Sequence, residues 1–315
     1  LKNRIKILLF VLLLIFCWEV HGRSIQHVRT IYFHANAAKK MSVKTIIFGK
    51  KKIAAVKPTA LCRVSPGLLC VTDAVNGGIL FLDDNGNIKK RITRVKGIKI
   101  ISPVSACTDD SGKLYIADST QGGIVRFTSK LKFVDVFIAA MEWRITGITF
   151  IKGSFYCVDA QGHRALCFDR RGKLAFSFGK RGTGAGEFNF PTHIAADNEY
   201  IYVTDAMNFR VQIFDHKGRF IRAFGSHGRG GGNFSKPKGI AVTKNKHIFV
   251  ADAMFDNVQI FNSQGEFLYY FGDPGQEDEQ FWMPSGLMVD KDDTIWVADT
   301  FNHRIQVFRL VENTL

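Results

Sequence analysis

Three ten-residue stretches of this chain are near copies of one another, and that repetition constrains the fold more than any other feature. Asp205 to Phe214 reads D-A-M-N-F-R-V-Q-I-F, Asp252 to Phe261 reads D-A-M-F-D-N-V-Q-I-F, and Asp299 to Phe308 reads D-T-F-N-H-R-I-Q-V-F. Each follows an alternating apolar run: Ile201 to Thr204, Ile248 to Ala251 and Ile295 to Ala298. A strand, a polar tip and a second strand make a β-hairpin, and its recurrence predicts a repeat architecture.

Six units superpose when aligned on an Asp at the end of their second strand. The anchors are Asp73, Asp118, Asp159, Asp205, Asp252 and Asp299, spaced 45, 41, 46, 47 and 47 residues apart. Each unit has room for four short strands, with turns such as Asp197-Asn198 and Lys217-Gly218 between them. Four antiparallel strands at this period predict an all-β, six-bladed β-propeller. The 28 phenylalanines and only seven prolines suit many short strands.

The last unit stops at Leu310, after its third strand. Lys44 to Phe48 (K-T-I-I-F) has the pattern of the missing outer strand. It is expected to pair with Ile305 to Phe308, so that an N-terminal strand completes the last blade and removes an open edge. The expected division is a signal peptide over 1–22, a tether over 23–43, the propeller over 44–310 and a C-terminal tail over 311–315.

Pro237 to Val242 (P-K-G-I-A-V), Ile248 to Asp252 (I-F-V-A-D) and Asn302 to Phe308 (N-H-R-I-Q-V-F) resemble the motif of NHL-repeat proteins. The resemblance runs over Lys44 to Leu310 and is strongest in the last three units. Units one and two lack the Arg of the motif and unit three lacks its Pro. The resemblance implies six blades of the bacterial envelope type. A lyase branch of the family uses channel histidines with zinc and calcium, which requires several inward-facing ligands.

The N-terminus reads as an address. Lys2, Arg4 and Lys6 precede the apolar run Ile7 to Trp18, shorter than the roughly 17–25 residues of a spanning helix and suited to a signal-peptide core. Cleavage near Gly22 leaves a mature chain without a membrane span, exported to the periplasm or envelope. Lipidation at Cys17 is the weaker alternative, because Phe16 is bulky. The other cysteines, Cys62, Cys70, Cys107, Cys157 and Cys167, are odd in number and form no C-x-x-C. They read as buried thiols, with a Cys62–Cys70 disulfide as the alternative, and not as a metal or haem site.

An Asp recurring in every unit is expected to be turn hardware, accepting backbone N–H bonds. Departures from the repeat carry more information. His193 opens an innermost strand where other units have Gly, Ser or Ala. His163 and His303 sit at hairpin tips, with Phe209 and Phe255 at or near the matching sites. The glycine-rich linkers Phe178 to Phe188 and Phe224 to Phe234 add Arg181 and Arg229 to the same face. They lack G-K-[ST] and a following helix, so they are not phosphate loops. Neither G-x-S-x-G nor H-E-x-x-H occurs.

Of the formal charge of +15, +13 remains once Lys2, Arg4 and Lys6 are removed against Glu19. Outside the cytoplasm that field favours an acidic protein or an anionic envelope polymer, whereas nucleic acid is disfavoured as a partner by export. The expected function is a non-enzymatic protein-interaction or ligand-binding scaffold. Its contact residues are expected to be His193, Arg181, Phe209, Arg229, Phe255 and His303, with no catalytic residue, metal or cofactor. The alternatives are a metal-dependent lyase or hydrolase around His193, and single-stranded RNA binding on a basic, aromatic face.

Overall fold

The computed structural model describes residues 23–33, 56–139 and 141–312. Six four-stranded antiparallel sheets make up this part of the chain, with one 3-10 turn, Ala206–Asn208. The innermost strands are Ala60–Ser65, Pro103–Thr108, Ile145–Ile151, Pro191–Ala196, Pro237–Val242 and Pro284–Val289. Each touches the next, and the sixth touches the first, so the sheets close into a propeller ring.

Local chemistry explains the blades. Asp83, Asp169, Asp215 and Asn262 begin the turns from third to fourth strand. Their side-chain oxygens accept the N–H groups two and four residues on, as Asp215 does from Lys217 and Arg219 at 2.9 Å. A glycine three residues after each takes a positive φ, between 78° and 86°, that this tight return requires. Apolar positions alternate across each sheet, so both faces bury against neighbouring blades. The core is therefore not central. It is split into clusters between blades, such as Phe249, Ile260, Phe281 and Phe308 between the fifth and sixth.

In the three longest linkers a Phe plugs the space between blades. A Cβ at Gly179, Gly225 or Gly272 would collide with the ring of Phe188, Phe234 or Phe281, all fully buried. The F-G…F spacing is thus a packing device.

An N-terminal strand completes the sixth blade, but it is not the one expected. Arg23–Tyr32 pairs antiparallel with Arg304–Glu312. The expected tether is therefore partly a blade strand, and the first residues of the expected tail, Val311 and Glu312, are paired as well. Lys44 to Phe48 lies outside the described residues. A bulge between His27 and Arg29 explains why the strand was hard to read. It inserts Val28, which points out at 46% exposure, and reverses the side-chain parity. Ile25 consequently packs toward the fifth blade, whereas Ile31 is buried against Leu61, Leu80 and Val307 at the seam with the first. No single alternating stripe exists over these ten residues.

The five described cysteines are free, buried thiols. Cys62 and Cys70 face each other in register, and burial pushes the Cys62 thiol up to about 12.

If this strand closes the ring, Ile31→Ala should cost on the order of 2–5 kcal/mol in urea unfolding. Val28→Ala, three residues away on the exposed bulge, should change stability little; equal effects would contradict the assigned register.

Candidate functional site

The tips of the second-to-third-strand hairpins and the linkers between blades share one face of the ring. Its geometry begins with the six anchor carboxylates, all buried. Asp118 accepts from the backbone N–H of Ile101 at 2.8 Å, Asp205 from Asn189 at 2.7 Å, Asp252 from Ser235 at 2.6 Å and Asp299 from Trp282 at 2.8 Å. Asp73 and Asp159 accept N–H groups of their own tips, from Asn76 at 3.0 Å and Gly162 at 3.1 Å. Burial raises the Asp205 and Asp299 carboxyls against the pull of these donors and of the neighbouring Arg.

In the fourth and sixth blades, two tip residues clamp the preceding linker. Arg210 Nε donates to Asp205 Oδ2 at 2.8 Å, and its other nitrogens donate to the carbonyl oxygens of Thr183, Gly184 and Glu187, each at 2.8 Å. Arg304 repeats this on Asp299 at 2.7 Å and on Gln276, Glu277 and Gln280, each at 2.6 Å. Asn208 and Asn302 donate to their Asp and to the Gly182 and Gly275 carbonyls. The planar guanidinium, with its fixed fork of donors, suits several converging carbonyls.

The fifth blade breaks the clamp. Phe255 stands where Asn208 and Asn302 stand, and Asn257 where Arg210 and Arg304 stand. The linker below it, Phe224 to Phe234, keeps its length. A recess of about 640 Å³ opens there, walled by His227, Arg229, Met254, Phe255, Asn257 and Tyr270 among others. The ring of Phe209 packs on His227 with centroids 4.5 Å apart.

Three of the expected contact residues, Phe209, Arg229 and Phe255, thus come together at this recess. Arg181 is exposed in the neighbouring linker, beside Gly182, to which the fourth tip bonds. His303 lies elsewhere, at the seam. Its Nδ1 is 3.0 Å from the Val56 carbonyl oxygen, and its own carbonyl accepts the Phe33 N–H at 2.8 Å. The tip residue matching Phe209 is Asp256, not Phe255. His163, Phe209, Asp256 and His303 all stand four residues after their anchor at positive φ, between 52° and 54°. His163 accepts the Phe190 N–H at 3.2 Å and Asp256 that of Met283 at 2.6 Å. His227, Asn257 and Tyr270 are the wall residues that the sequence reading passed over.

His193 stands apart, on the wall of the central channel. The channel cavity is about 310 Å³ and is lined by all six inner strands, largely by small and aliphatic residues. Burial, with a smaller push from Lys238, holds the His193 imidazole down at about 3. Its Nδ1 has no hydrogen-bond partner. Ser105 on the same wall accepts the Ile148 N–H at 3.1 Å through its hydroxyl. Among the described residues no three His, Cys, Asp or Glu side chains cluster closely enough to hold a metal.

Comparison with known proteins agrees with this geometry. A family model for the NHL repeat matches residues 281–308, and a model described as a 6-bladed beta-propeller (DUF5128) matches residues 142–209 and 197–248. The chain is a six-bladed propeller with an NHL repeat in its last blade. Solved structures similar to this NHL propeller include virginiamycin B lyase from Staphylococcus aureus, at 14% identity and a TM-score of 0.58, covering 92% of this chain and 100% of that one. A gluconolactonase from Xanthomonas campestris is similar at 13% identity and a TM-score of 0.62, over 82% of this chain and 87% of the other. An auxiliary nutrient binding protein from Bacteroides thetaiotaomicron is similar at 13% and 0.64, over 81% and 70%. At such identities the likeness shows the fold alone. No curated protein sequence matches the chain significantly.

The channel histidine gives a pH signature. Its folded-state value lies below the ordinary 6.5, so the unfolded chain binds the proton more readily. Its stability contribution is full above pH 6.5 and is lost as pH falls toward 3. His193→Gly, the residue of three other blades at this position, should flatten the fall of urea midpoints over that window. An unchanged acid limb would place the acid sensitivity on other groups.

Proposed function

We propose that this NHL propeller is a non-enzymatic binding scaffold that takes a protein partner on its tip face, centred on the recess beside the fifth blade. The recess carries the reading. There the linker clamp of the two flanking blades is absent and apolar side chains are left unburied: Met254 is 56% exposed and Tyr270 52%. Exposed apolar and aromatic groups rimmed by polar ones are what a partner surface requires. The net positive charge favours an acidic protein as the partner, or failing that an anionic envelope polymer.

The scaffold is an exported one in this reading. Cleavage near Gly22 would leave Arg23, the first residue of the closing strand, at the new N-terminus. Processing would then yield a chain whose first residue is already part of the ring. No helix among the described residues is long and apolar enough to cross a membrane.

A second reading, metal-dependent lyase or hydrolase chemistry in the channel, is favoured by one observation, the imidazole of His193 on the channel wall. Stoichiometric zinc or calcium in the purified protein would support it over the scaffold.

Site-specific photocrosslinking tests the scaffold reading. A photoreactive phenylalanine at position 255 should give a discrete adduct in cells, whereas one at Ile221, exposed on an outer strand away from the recess, should not. Adducts from both positions alike, or from neither, would count against this face.

A further inference from the structure

The missing clamp leaves more than an apolar recess. In the fourth and sixth blades a guanidinium fills the corresponding space, bonded to one carboxylate and three linker carbonyls. The corresponding acceptors of the fifth blade are Asp252 and the carbonyl oxygens of Arg229, Gly230 and Asn233, with Gly228 in the place of the Asn-bonded carbonyl. All are present, because the linker keeps its fold. Gly228 N–H donates to the Phe234 carbonyl and Asn233 N–H to that of Gly230, just as Gly182 and Glu187 donate in the fourth blade. Gln259 occupies the place of Gln212, taking the Gly232 N–H at 2.9 Å and donating to Asn233 at 2.7 Å.

What is missing is the donor. Among the described residues the carbonyls of Gly228 and Arg229 accept no hydrogen bond, and the buried Asp252 carboxylate, which accepts backbone N–H groups from Ser235, Lys236, Met254 and Phe255, has no salt-bridge partner. Asn257 is too short to replace the Arg, and its buried Oδ1 is itself without a partner. A buried acceptor such as Asn257 Oδ1 is costly to leave without a donor, and the Gly228 and Arg229 carbonyls beside it are open to one. The walls suit a flat cation as well, because they include the aromatic side chains of Phe255 and Tyr270. The fixed charges around the recess are Asp252, Asp256 and Asp273 against Arg229, with His227 beside it. Burial most of all, and then the carboxylates of Asp299 and Asp252, push Asp256 up.

We infer that the recess beside the fifth blade is a binding site for a guanidinium group, supplied by an arginine side chain of the bound protein. The incoming group replaces in trans the clamp that Arg210 and Arg304 make in cis. The arginine's source rests on the scaffold reading above, whereas the site's preference for a guanidinium does not. An acidic partner that presents one arginine here satisfies both the general field and the local acceptors.

Ethylguanidinium is the direct probe and propylammonium its control. On the wild-type chain, ethylguanidinium should shift the amide resonances of Gly228 to Gly232 in a saturable way, and propylammonium should bind more weakly because it lacks the planar fork. Asn257→Arg restores the internal clamp and should weaken ethylguanidinium binding by at least about tenfold while raising the melting temperature. Should that variant misfold, Asn257→Leu removes the unpartnered oxygen and narrows the recess, and should weaken binding as well. No saturable shift in the wild type, or equal shifts in wild type and filled variants, would overturn the inference. Crosslinks at position 255 that persist in Asn257→Arg would remove the arginine while leaving the scaffold intact. Loss of those crosslinks together with ethylguanidinium binding would support both.

Discussion

A buried guanidinium holds the last seam of this ring. Arg304 is 1% exposed, yet its charge is fully engaged: Asp299 on one side, three linker carbonyls on the other. Tyr32 of the closing strand lies over it, with the guanidinium carbon 5.8 Å from the ring centroid. One side chain therefore ties together the hairpin of the sixth blade, the linker from the fifth and the strand that closes the circle. A propeller whose blades are separate sheets depends on such ties, because hydrogen-bond ladders run within blades and only packing and scattered side-chain bonds run between them. Closure by Arg23–Tyr32 adds the one ladder that joins chain segments from opposite ends of the sequence.

The same clamp makes function legible as a departure. Where Arg210 and Arg304 are present the linker is bonded shut. Where Phe255 and Asn257 replace Asn and Arg, the linker keeps its path but the Gly228 and Arg229 carbonyls are unspent. Repeat proteins distribute stability over equivalent interactions, so a single unit can lose one and still fold. That tolerance would let one blade become the proposed site. The channel offers no comparable departure beyond His193, whose unprotonated ring sits among aliphatic and small residues.

Much of this was legible in the sequence. The anchor Asp residues, the four-strand period and the need for an N-terminal strand all follow from residue spacing, because turn chemistry and side-chain alternation are local. Closure by the right segment was not legible. The bulge at Val28 breaks the alternation of Arg23–Tyr32, while Lys44 to Phe48 keeps the familiar pattern. The break at Phe255 and Asn257 was in plain view in D-A-M-F-D-N-V, but Phe255 was matched with Phe209 when its true counterpart is Asn208. Counting from the Asp anchors fixes that alignment, and the positive φ shared by Phe209 and Asp256 agrees with it. The recess itself lies between a tip and a linker some 25 residues earlier in the chain, as the Gln259–Asn233 contact illustrates, and spacing alone does not bring them together.

The account stands or falls on the clamp being a principal tie of the structure and not a decoration of its surface. The most direct test is the unfolding free energy of Arg304→Ala, read by urea titration alongside amide exchange over Arg23–Tyr32. Removing one partner of a buried pair should cost about 3–5 kcal/mol and should speed exchange in the closing strand. A loss below about 1 kcal/mol, the range of a surface ion pair, with exchange in that strand unchanged, would contradict it.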